Sequence, residues 1–327
     1  MIQLENVSKQ YPLQDVRAVS GLSLSIRSGE FVVLVGPSGC GKTTTLRMIN
    51  RLVEPSEGKI WIDGKDVTNV DVDLLRRGIG YVIQHVGLLP HLTVAANVEL
   101  VPKMNGISKA VRTARTAELL KLVGLDPKYG ERYPKQLSGG QQQRVGVARA
   151  LAADPPIMLM DEPFAAVDPV TRRKLQDEFL SLQKRLKKTI VFVTHDIDEA
   201  LRLGDRIAIF DDGCRIAQFA TPLEILTNPA DEFVRNFVGG GAAIKRLALL
   251  TLGDIRFENM PDTDVGAGTI TAMSTTTIQD ALERILGSTA TAIAFTAADG
   301  RHVSVGLQQL LLAAARQGDT QMATMTP

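Results

Sequence analysis

The chain has 327 residues, of which 44% are hydrophobic, so it can form one large domain plus a smaller one, and disorder is not the default expectation. Its 37 Lys and Arg residues nearly balance its 36 Asp and Glu residues, and the net charge of +1 lacks the basic footprint that nucleic-acid binding needs. Cys40 and Cys214 lie far apart in the sequence, which fits a reducing cytosol better than a disulfide framework. We expect neither a secretory signal nor a membrane span, because no basic region with an apolar run opens the chain and no stretch of about 18 apolar residues occurs.

The first segments alternate between apolar and polar residues. Residues 2–7 and 22–26 follow this pattern, which is typical of half-buried antiparallel strands. A further strand is predicted at 59–62, between turns at Glu57-Gly58 and Asp63-Gly64. These segments predict an antiparallel layer at the start of the chain.

A glycine-rich segment follows the apolar run Phe31–Val35 and precedes residues with helix-forming character. It satisfies every fixed position of the pattern G-x-x-x-x-G-K-[ST]. Glycines let the backbone N–H groups point at phosphate oxygens, and the helix N-terminus adds partial positive charge. Lys42 is placed to reach the β- and γ-phosphates, and the Thr43 hydroxyl to contact Mg²⁺. A nucleoside triphosphate is therefore expected to bind at Gly36, Pro37, Ser38, Gly39, Cys40, Gly41, Lys42, Thr43 and Thr44.

The middle of the chain predicts an α/β domain with a helical insertion. A strand at 79–83 ends at Gln84, and residues from about 90 to 135 have mostly helical composition. Beyond them, continuous apolar strands at 157–160, 189–193 and 207–210 alternate with helices, which indicates a parallel sheet covered on both faces.

Two adjacent carboxylates, Asp161 and Glu162, follow the apolar strand at 157–160. Successive side chains of a strand point in opposite directions, so the two cannot have the same task. Asp161 is suited to hold Mg²⁺ through a water, and Glu162 is then free to orient or deprotonate the attacking water. The plainer alternative is an Asp-Glu pair that caps a surface turn, which is less expected after a buried strand in a protein with a P-loop.

A second helix start also carries glycines. Two glycines in the first turn of a helix cost about 0.5–1 kcal/mol each relative to alanine, and their benefit is the close approach of bare N–H groups to an anion. One alternative is a flexible loop before a helix. The other is a second phosphate-binding helix start, and if one nucleotide uses both starts, two copies of the chain can supply them. The residues concerned are Ser138, Gly139, Gly140 and Gln141.

Taken in chain order, these motifs resemble the ATP-binding subunits of ABC transporters over residues 1–240. The motifs are Gly36–Thr44, Gln84, the signature segment Leu137–Gln141, Asp161–Glu162, Asp168 and His195. The resemblance implies a homodimeric ATPase with ATP and Mg²⁺ as cofactors. It implies that Tyr11 stacks on the adenine, that Gln84 senses Mg²⁺ and the γ-phosphate, and that His195 reaches the γ-phosphate. It further implies that Ser138–Gln141 contact the nucleotide held by the partner subunit and that Asp168 lies at the dimer seam. Val167 stands where family members usually carry Leu.

A narrower resemblance concerns the transported solute. Residues 48–55 and 80–91 are similar to those of the glycine betaine, carnitine and choline importers. This similarity implies membrane permease partners, an extracytoplasmic solute-binding protein or domain in the same system, and a peripheral location at the cytoplasmic face of the plasma membrane. The alternatives are an importer ATPase for an amino acid or ion and a non-transport ABC ATPase. The interval between Gln84 and Ser138 is too short for the long coiled coils of the DNA-repair class, and the ribosome-associated class carries two cassettes per chain.

The tail begins where the composition changes at Gly239–Gly241, and we place a domain boundary after residue 240. Residues 241–327 predict a small β-α-β-β-α unit whose helix is capped by Thr276 and Gln279. This unit resembles a cystathionine-β-synthase-type motif. Such motifs normally pair to enclose an adenosine ligand, and the tail has room for about one. Either two chains supply the pair or the motif is degenerate, and we favour a single degenerate motif.

Overall fold

The computed structural model describes residues 1–12, 16–83, 87–165, 167–254, 268–297 and 300–312, without the side chains of residues 182, 184 and 185. The chain divides into two compact units, Met1–Thr221 and Pro222–Pro327. No helix among the described residues is long and apolar enough to span a lipid bilayer.

Two sheets and the helices around them form the first unit. Its strands are β1 (Ile2–Lys9), β2 (Val19–Ile26), β3 (Phe31–Val35), β4 (Glu57–Ile62), β5 (Lys65–Asp66), β6 (Ile79–Val82), β7 (Ile157–Asp161), β8 (Thr189–Thr194), β9 (Arg206–Phe210) and β10 (Ile216–Ala220). Its helices are α1 (Lys42–Ile49), α2 (Val72–Arg77), α3 (Val94–Val98), α4 (Leu100–Met104), α5 (Lys109–Leu122), α6 (Gly139–Leu151), α7 (Pro169–Leu186) and α8 (Ile197–Leu203). Short 3-10 turns lie at Val67–Asn69, Pro127–Glu131 and Pro134–Gln136.

The smaller sheet is the predicted antiparallel layer. Its strand order is β2-β1-β4-β5, and every neighbouring pair is antiparallel. In β1, Leu4 pairs with Leu24 on one side and with Ile60 on the other, and all three side chains are buried. The alternating pattern of the N-terminal segments therefore reports one buried face, and this prediction is confirmed.

The larger sheet has the order β10-β9-β3-β8-β7-β6. Strands β9 to β6 are parallel, and every residue of β3, β7 and β8 is buried, which confirms the predicted sheet with two covered faces. The edge strand β10, which the sequence did not predict, pairs antiparallel with β9. Because β3, β8 and β7 are neighbours, the residues that follow their carboxyl ends meet at one edge of the sheet.

Helices and turns occupy the residues between β6 and α6 as far as the structure describes them. The expected insertion at residues 90–135 corresponds to α3, α4, α5 and two 3-10 turns. Asn97 is fully buried at the base of this region. Its Oδ1 accepts a hydrogen bond from the Leu89 N–H at 2.8 Å, and its Nδ2 donates to the Leu89 carbonyl at 3.1 Å.

Four phenylalanines pack between the larger sheet and α7, each in contact with two of the others, and Phe192 is fully buried. Its ring centroid lies 5.9 Å from that of Phe31 and 5.8 Å from that of Phe164.

We expect Phe192→Ala to lower the free energy of unfolding of the first unit by about 3–5 kcal/mol, because it leaves a cavity in the core. Urea unfolding measures this free energy. The control is Val111→Ala, at a position that is 58% exposed, and it should change the free energy of unfolding by about 0.5 kcal/mol or less. A loss below about 1 kcal/mol for Phe192→Ala would contradict this packing.

The second unit combines helices with a small sheet. Its elements are α9 (Pro222–Thr227), α10 (Glu232–Val238), α11 (Ala242–Leu249), a 3-10 turn (Leu252–Asp254), β11 (Thr269–Thr271), α12 (Ile278–Leu286), β12 (Ala292–Thr296) and β13 (His302–Gly306). Residues 307–312 are helical. The sheet order is β11-β12-β13, with β11 parallel and β13 antiparallel to β12. The fully buried members of its core are Leu252, Ala281, Ile293, Val305 and Leu310.

The order of elements from β11 onward is the predicted β-α-β-β-α order, but the predicted cap of its helix is wrong. The N-cap of α12 is Thr277, whose hydroxyl accepts a hydrogen bond from the Asp280 N–H at 3.1 Å. The carbonyl of Thr276 instead accepts from the Leu252 N–H at 2.9 Å. The predicted boundary after residue 240 falls inside the second unit, between α10 and α11, and as a functional boundary it stays a prediction.

Candidate functional site

The loop between β3 and α1 contains glycines that its geometry requires. Gly41 caps α1 with a φ of +93°, and a Cβ at this position would lie 2.2 Å from the Ala18 carbonyl oxygen. Gly36 has a φ of +155°, and a Cβ there would lie 2.6 Å from the carbonyl oxygen of Phe210 at the end of β9. Only glycine can hold this curled backbone so close to its neighbours. The result is a strand, loop and helix in the arrangement that binds phosphate.

The side chain of Lys42 donates hydrogen bonds to the loop that precedes it. The residue is only 6% exposed, and its Nζ donates hydrogen bonds to the carbonyls of Gly36 at 2.8 Å and Pro37 at 2.7 Å. The same Nζ lies 3.4 Å from Sγ of Cys40. Burial raises the pKa of the Cys40 thiol, and the nearby ammonium opposes that rise. The site therefore keeps a cation within its loop where the phosphates of a nucleotide would bind.

Thr43 and Asp161 meet across the loop. The Thr43 hydroxyl donates a hydrogen bond to Oδ1 of Asp161 at 2.9 Å. Burial raises the pKa of Asp161, and this hydrogen bond opposes the rise. No cluster of three His, Cys, Asp or Glu side chains suited to a metal occurs in the described part of the chain. One carboxylate beside one hydroxyl fits Mg²⁺, because Mg²⁺ is usually held by one or two carboxylates together with substrate phosphates.

Glu162 and His195 are brought together by the sheet. Strands β7 and β8 are parallel neighbours in which Asp161 pairs with Val193, so the residues beyond their ends are adjacent. Nδ1 of His195 lies 3.1 Å from Oε1 of Glu162. Glu162 has a φ of +45°, a left-handed conformation that is uncommon outside glycine. The sequence predicted both residues, but it did not predict their contact.

A second group of polar residues, which sequence reasoning missed, lies behind His195. Thr194 donates a hydrogen bond to Oε2 of Glu199, and Gln176 Nε2 donates to its Oε1 at 2.9 Å. The Asp196 N–H donates to the Thr194 hydroxyl at 3.1 Å. Burial is the main cause that raises the pKa of Glu199, and the bonds from Thr194 and Gln176 oppose it. These residues fix the turn that carries His195.

The raised pKa of Glu199 predicts a pH dependence of stability. Because this pKa is higher in the folded than in the unfolded chain, Glu199 contributes stability below its ordinary pKa of about 4.5, and that contribution is lost as pH rises through the folded-state pKa. We expect the free energy of unfolding of wild type to fall relative to Glu199→Gln as pH increases from 4.5. Urea unfolding of both chains at a series of pH values measures the difference. A difference that stays constant or moves in the opposite direction would contradict the assignment.

The signature segment forms an ordered helix start. The Ser138 hydroxyl accepts a hydrogen bond from the Gln141 N–H at 3.3 Å, and Gln141 Oε1 accepts from the Ser138 N–H at 3.0 Å, which makes a capping box. A Cβ at Gly139 would meet nothing within 4 Å, and one at Gly140 would meet only Val167 Cγ2 at 4.0 Å. Packing within the chain therefore does not require these glycines. Their effect is that two positions in the first turn of α6 carry no side chain.

Three further residues are predicted to take part in nucleotide binding or dimer contact, namely Tyr11, Asp168 and Gln84. Tyr11 follows β1, and Lys9 Nζ lies 5.3 Å from the centroid of its ring. Asp168 is the exposed N-cap of α7, and the hydrogen bond from the Thr171 N–H to its Oδ1 at 3.0 Å lowers its pKa. Gln84 lies outside the described residues. The roles given to these three residues stay predictions.

The structure also places Cys214 against the phosphate-binding loop. Its Sγ lies 3.9 Å from the carbonyl oxygen of Gly39, because the turn after β9 is adjacent to the end of β3. The two cysteines lie far apart in the sequence, and only the strand order brings Cys214 to the loop that contains Cys40.

The comparisons with known proteins agree on one family. The profile of the ABC transporter family matches residues 19–165. The chain is 52% identical over 285 residues to the osmoprotectant import ATP-binding protein OsmV of Salmonella typhimurium, covering 86% of this chain and 72% of that protein. It is 59% identical over 239 residues to the choline transport ATP-binding protein OpuBA of Bacillus subtilis, covering 73% of this chain and 62% of that protein. A solved dimeric structure of the ATP-binding cassette MJ0796, bound to ADP and Pi, matches with a TM-score of 0.63 at 40% identity, over 68% of this chain and 99% of the cassette.

Proposed function

Because this chain belongs to the ABC transporter family of ATP-binding proteins and is an ATPase, we propose that it powers the import of a quaternary ammonium osmoprotectant. Glycine betaine, carnitine and choline are the expected solutes. The import function is supported by OsmV and OpuBA, whose names assign them to osmoprotectant and choline transport. OpuBA extends well beyond the matched region, since the chain spans 62% of its length.

One observation carries the ATPase site. Strands β3, β8 and β7 are neighbours in the sheet; Asp161 is the last residue of β7, and the residues that follow the carboxyl ends are Lys42, Thr43, Glu162 and His195. Crevices at this edge of a parallel sheet are where ligands of such folds bind. The same edge therefore offers a phosphate-binding loop, a place for a cation and a carboxylate base.

The residues of this edge divide the work of ATP hydrolysis. Lys42 binds the β- and γ-phosphates, while Thr43 and Asp161 would hold Mg²⁺, which neutralises charge on the phosphates when bound. Glu162 accepts a proton from the attacking water, and a positioned base of this kind contributes about 10²–10⁴ to the rate. His195, whose Nδ1 lies 3.1 Å from Oε1 of Glu162, is placed beside the base and at the same edge to reach the γ-phosphate.

Each ATP is proposed to lie between two copies of the chain. Gly139 and Gly140 carry no side chain in the first turn of α6, and a Cβ at either would meet nothing closer than 4.0 Å, so a phosphate can approach their N–H groups. Support comes from the MJ0796 cassette, which is described as dimeric. In this arrangement Ser138–Gln141 contact the nucleotide of the partner subunit, Tyr11 stacks on the adenine, and Asp168 lies at the dimer seam.

The remaining partners follow from the import function. We place the protein at the cytoplasmic face of the plasma membrane, bound to integral permease subunits through its helical insertion. An extracytoplasmic solute-binding protein delivers the solute to the permease. Residues 241–327 are proposed to be a regulatory module with a single degenerate cystathionine-β-synthase-type motif.

A chain truncated after Gly241 should then keep its basal ATPase rate. Unfolding of the first unit on truncation would show that the boundary is wrong.

Uptake into proteoliposomes tests the proposed function. The protein is purified with its permease and binding protein, and uptake of radiolabelled glycine betaine, carnitine and choline is compared with that of a neutral amino acid. We expect ATP-dependent uptake of at least one quaternary ammonium solute, and none with Glu162→Gln. Uptake of the amino acid alone would instead favour the alternative, an importer ATPase for another small solute.

A further inference from the structure

Helix α6 carries a glutamine that contacts the catalytic region from inside the protein. Gln143 is 2% exposed, and its Nε2 donates a hydrogen bond to the carbonyl oxygen of Glu162 at 3.3 Å. The sequence assigns no role to this residue, because the signature pattern on this helix ends at Gln141. Its contact is with the main chain of the residue proposed to be the base.

The backbone of Glu162 is held from three directions. Its N–H donates to the Val193 carbonyl at 3.0 Å, and its carbonyl accepts from the Ala165 N–H at 3.2 Å as well as from Gln143. The first bond comes from β8 and the second from the turn itself, so Gln143 supplies the contact from α6. Because Glu162 has a left-handed φ of +45°, its conformation depends on such external bonds.

The other end of the Gln143 amide argues against a role in packing. Its Oε1 is buried and has no hydrogen-bond partner among the described residues. Gln143 lines a small cavity of about 30 Å³, whose other lining side chains include the apolar Leu122, Val147, Phe164, Leu175 and Phe179. An apolar side chain of the same length would fill this position without an unpaired acceptor. The feature that such a side chain could not supply is the bond to Glu162.

The position of Gln143 on its helix adds a connection. Gly139 and Gln143 are four residues apart on α6, so they lie on one face and about 6 Å apart along the axis. The start of this helix is the part proposed to contact the nucleotide held by the partner subunit. A shift of α6 on contact with that nucleotide would therefore move the amide that holds Glu162.

We propose that Gln143 is a positioning residue for Glu162, and that through it the signature helix couples ATP at the partner's site to the base of its own site. This inference rests on the proposed role of Glu162 and on the proposed two-chain site. It assigns no contact between Gln143 and the substrate.

Steady-state ATPase kinetics of Gln143→Met test the positioning role. The substitution keeps the length of the side chain and removes the donor. We expect kcat to fall about tenfold with KM within about twofold of wild type, and thermal stability equal to or above that of wild type. The matched control is Gln183→Met, because Gln183 Nε2 also donates to main-chain carbonyls, those of Gly29 at 3.3 Å and of Lys188, outside the site. A wild-type kcat in Gln143→Met, alongside an inactive Glu162→Gln chain, would overturn the inference and leave the proposed function standing.

A second variant separates the hydrogen bond from the shape of the side chain. In Gln143→Glu the introduced carboxyl can donate to Glu162 only when protonated. We expect its kcat, relative to wild type at the same pH, to rise as pH falls from 8 to 6. A ratio that falls as the pH is lowered would make the protonated, donating carboxyl the less active form and would overturn the positioning role.

The dependence of rate on ATP concentration tests the coupling. In Gln143→Met the Hill coefficient is expected to fall toward one, because the two sites no longer communicate through this amide. A Hill coefficient equal to that of wild type would overturn the coupling. If Glu162→Gln itself hydrolyses ATP at the wild-type rate, the proposed base is wrong and the inference falls with it.

Discussion

Glu162→Gln is expected to bind ATP as wild type does and to lose about 10²–10⁴ in turnover. The amide keeps the size of the side chain but cannot accept a proton from the attacking water. Glu162 lies at the end of β7 with its Oε1 3.1 Å from Nδ1 of His195, and its carbonyl and N–H are held by main-chain bonds that the substitution leaves in place. The fold and the ATP-binding loop should therefore be unchanged, and an ATP-bound dimer should accumulate.

Single-turnover hydrolysis and size-exclusion chromatography with ATP measure these two effects. The control is Glu118→Gln on α5, where the carboxylate is 69% exposed and contacts Arg115 at 3.5 Å. This control should hydrolyse ATP at the wild-type rate and should not accumulate a dimer. Wild-type turnover in Glu162→Gln would remove its assigned role.

Lys42→Met is expected to weaken ATP binding by about 10–100-fold, as the loss of a charged hydrogen-bond donor predicts. Two effects act in the same direction. The ammonium contributes positive charge at the phosphate-binding loop, and its bonds to Gly36 and Pro37 hold the loop in its curled form. The methionine side chain has a similar length but supplies neither.

Isothermal titration with ATP and Mg²⁺ measures this loss. Lys188→Met is the control, because the Lys188 Nζ also donates to a main-chain carbonyl, that of Asp154 at 3.3 Å, away from the loop. It should bind ATP as wild type does. A Lys42→Met chain with wild-type affinity would show that the loop does not use this cation for the phosphates.

The sequence predicted those parts of the fold that local patterns determine. The phosphate-binding loop follows from fixed residues between a strand and a helix, and Gly36 and Gly41 do occupy positions that exclude a Cβ. The antiparallel layer follows from the alternation of apolar and polar residues, and the parallel sheet follows from continuous apolar runs. These signals are contained within short segments of the chain.

The contacts that the sequence did not predict depend on strand order and on tertiary packing. Glu162 meets His195 because β7 and β8 are neighbours, and an apolar run does not specify its neighbours. Gln143 and Glu199 are polar residues on helices, and nothing in their local sequence shows that their side chains point inward to the turns that carry Glu162 and His195. The sequence predicts the cap of α12 one residue too early, because Thr276 and Thr277 are equally good caps, and the helix begins where Ile278 is buried in the core.

Mixed dimers test most directly the central claim, that each ATP lies between the loop of one copy and the signature helix of the other. All chains carry Glu162→Gln to retain ATP, and two purified pairings are compared for the ATP retained per dimer. One pairing joins a Lys42→Met chain to a Ser138→Arg chain, and the other joins a chain with both changes to a chain with neither. We predict about one ATP per dimer in the first pairing and none in the second, whereas ATP retained only in the second would place the whole pocket within one chain and contradict the account.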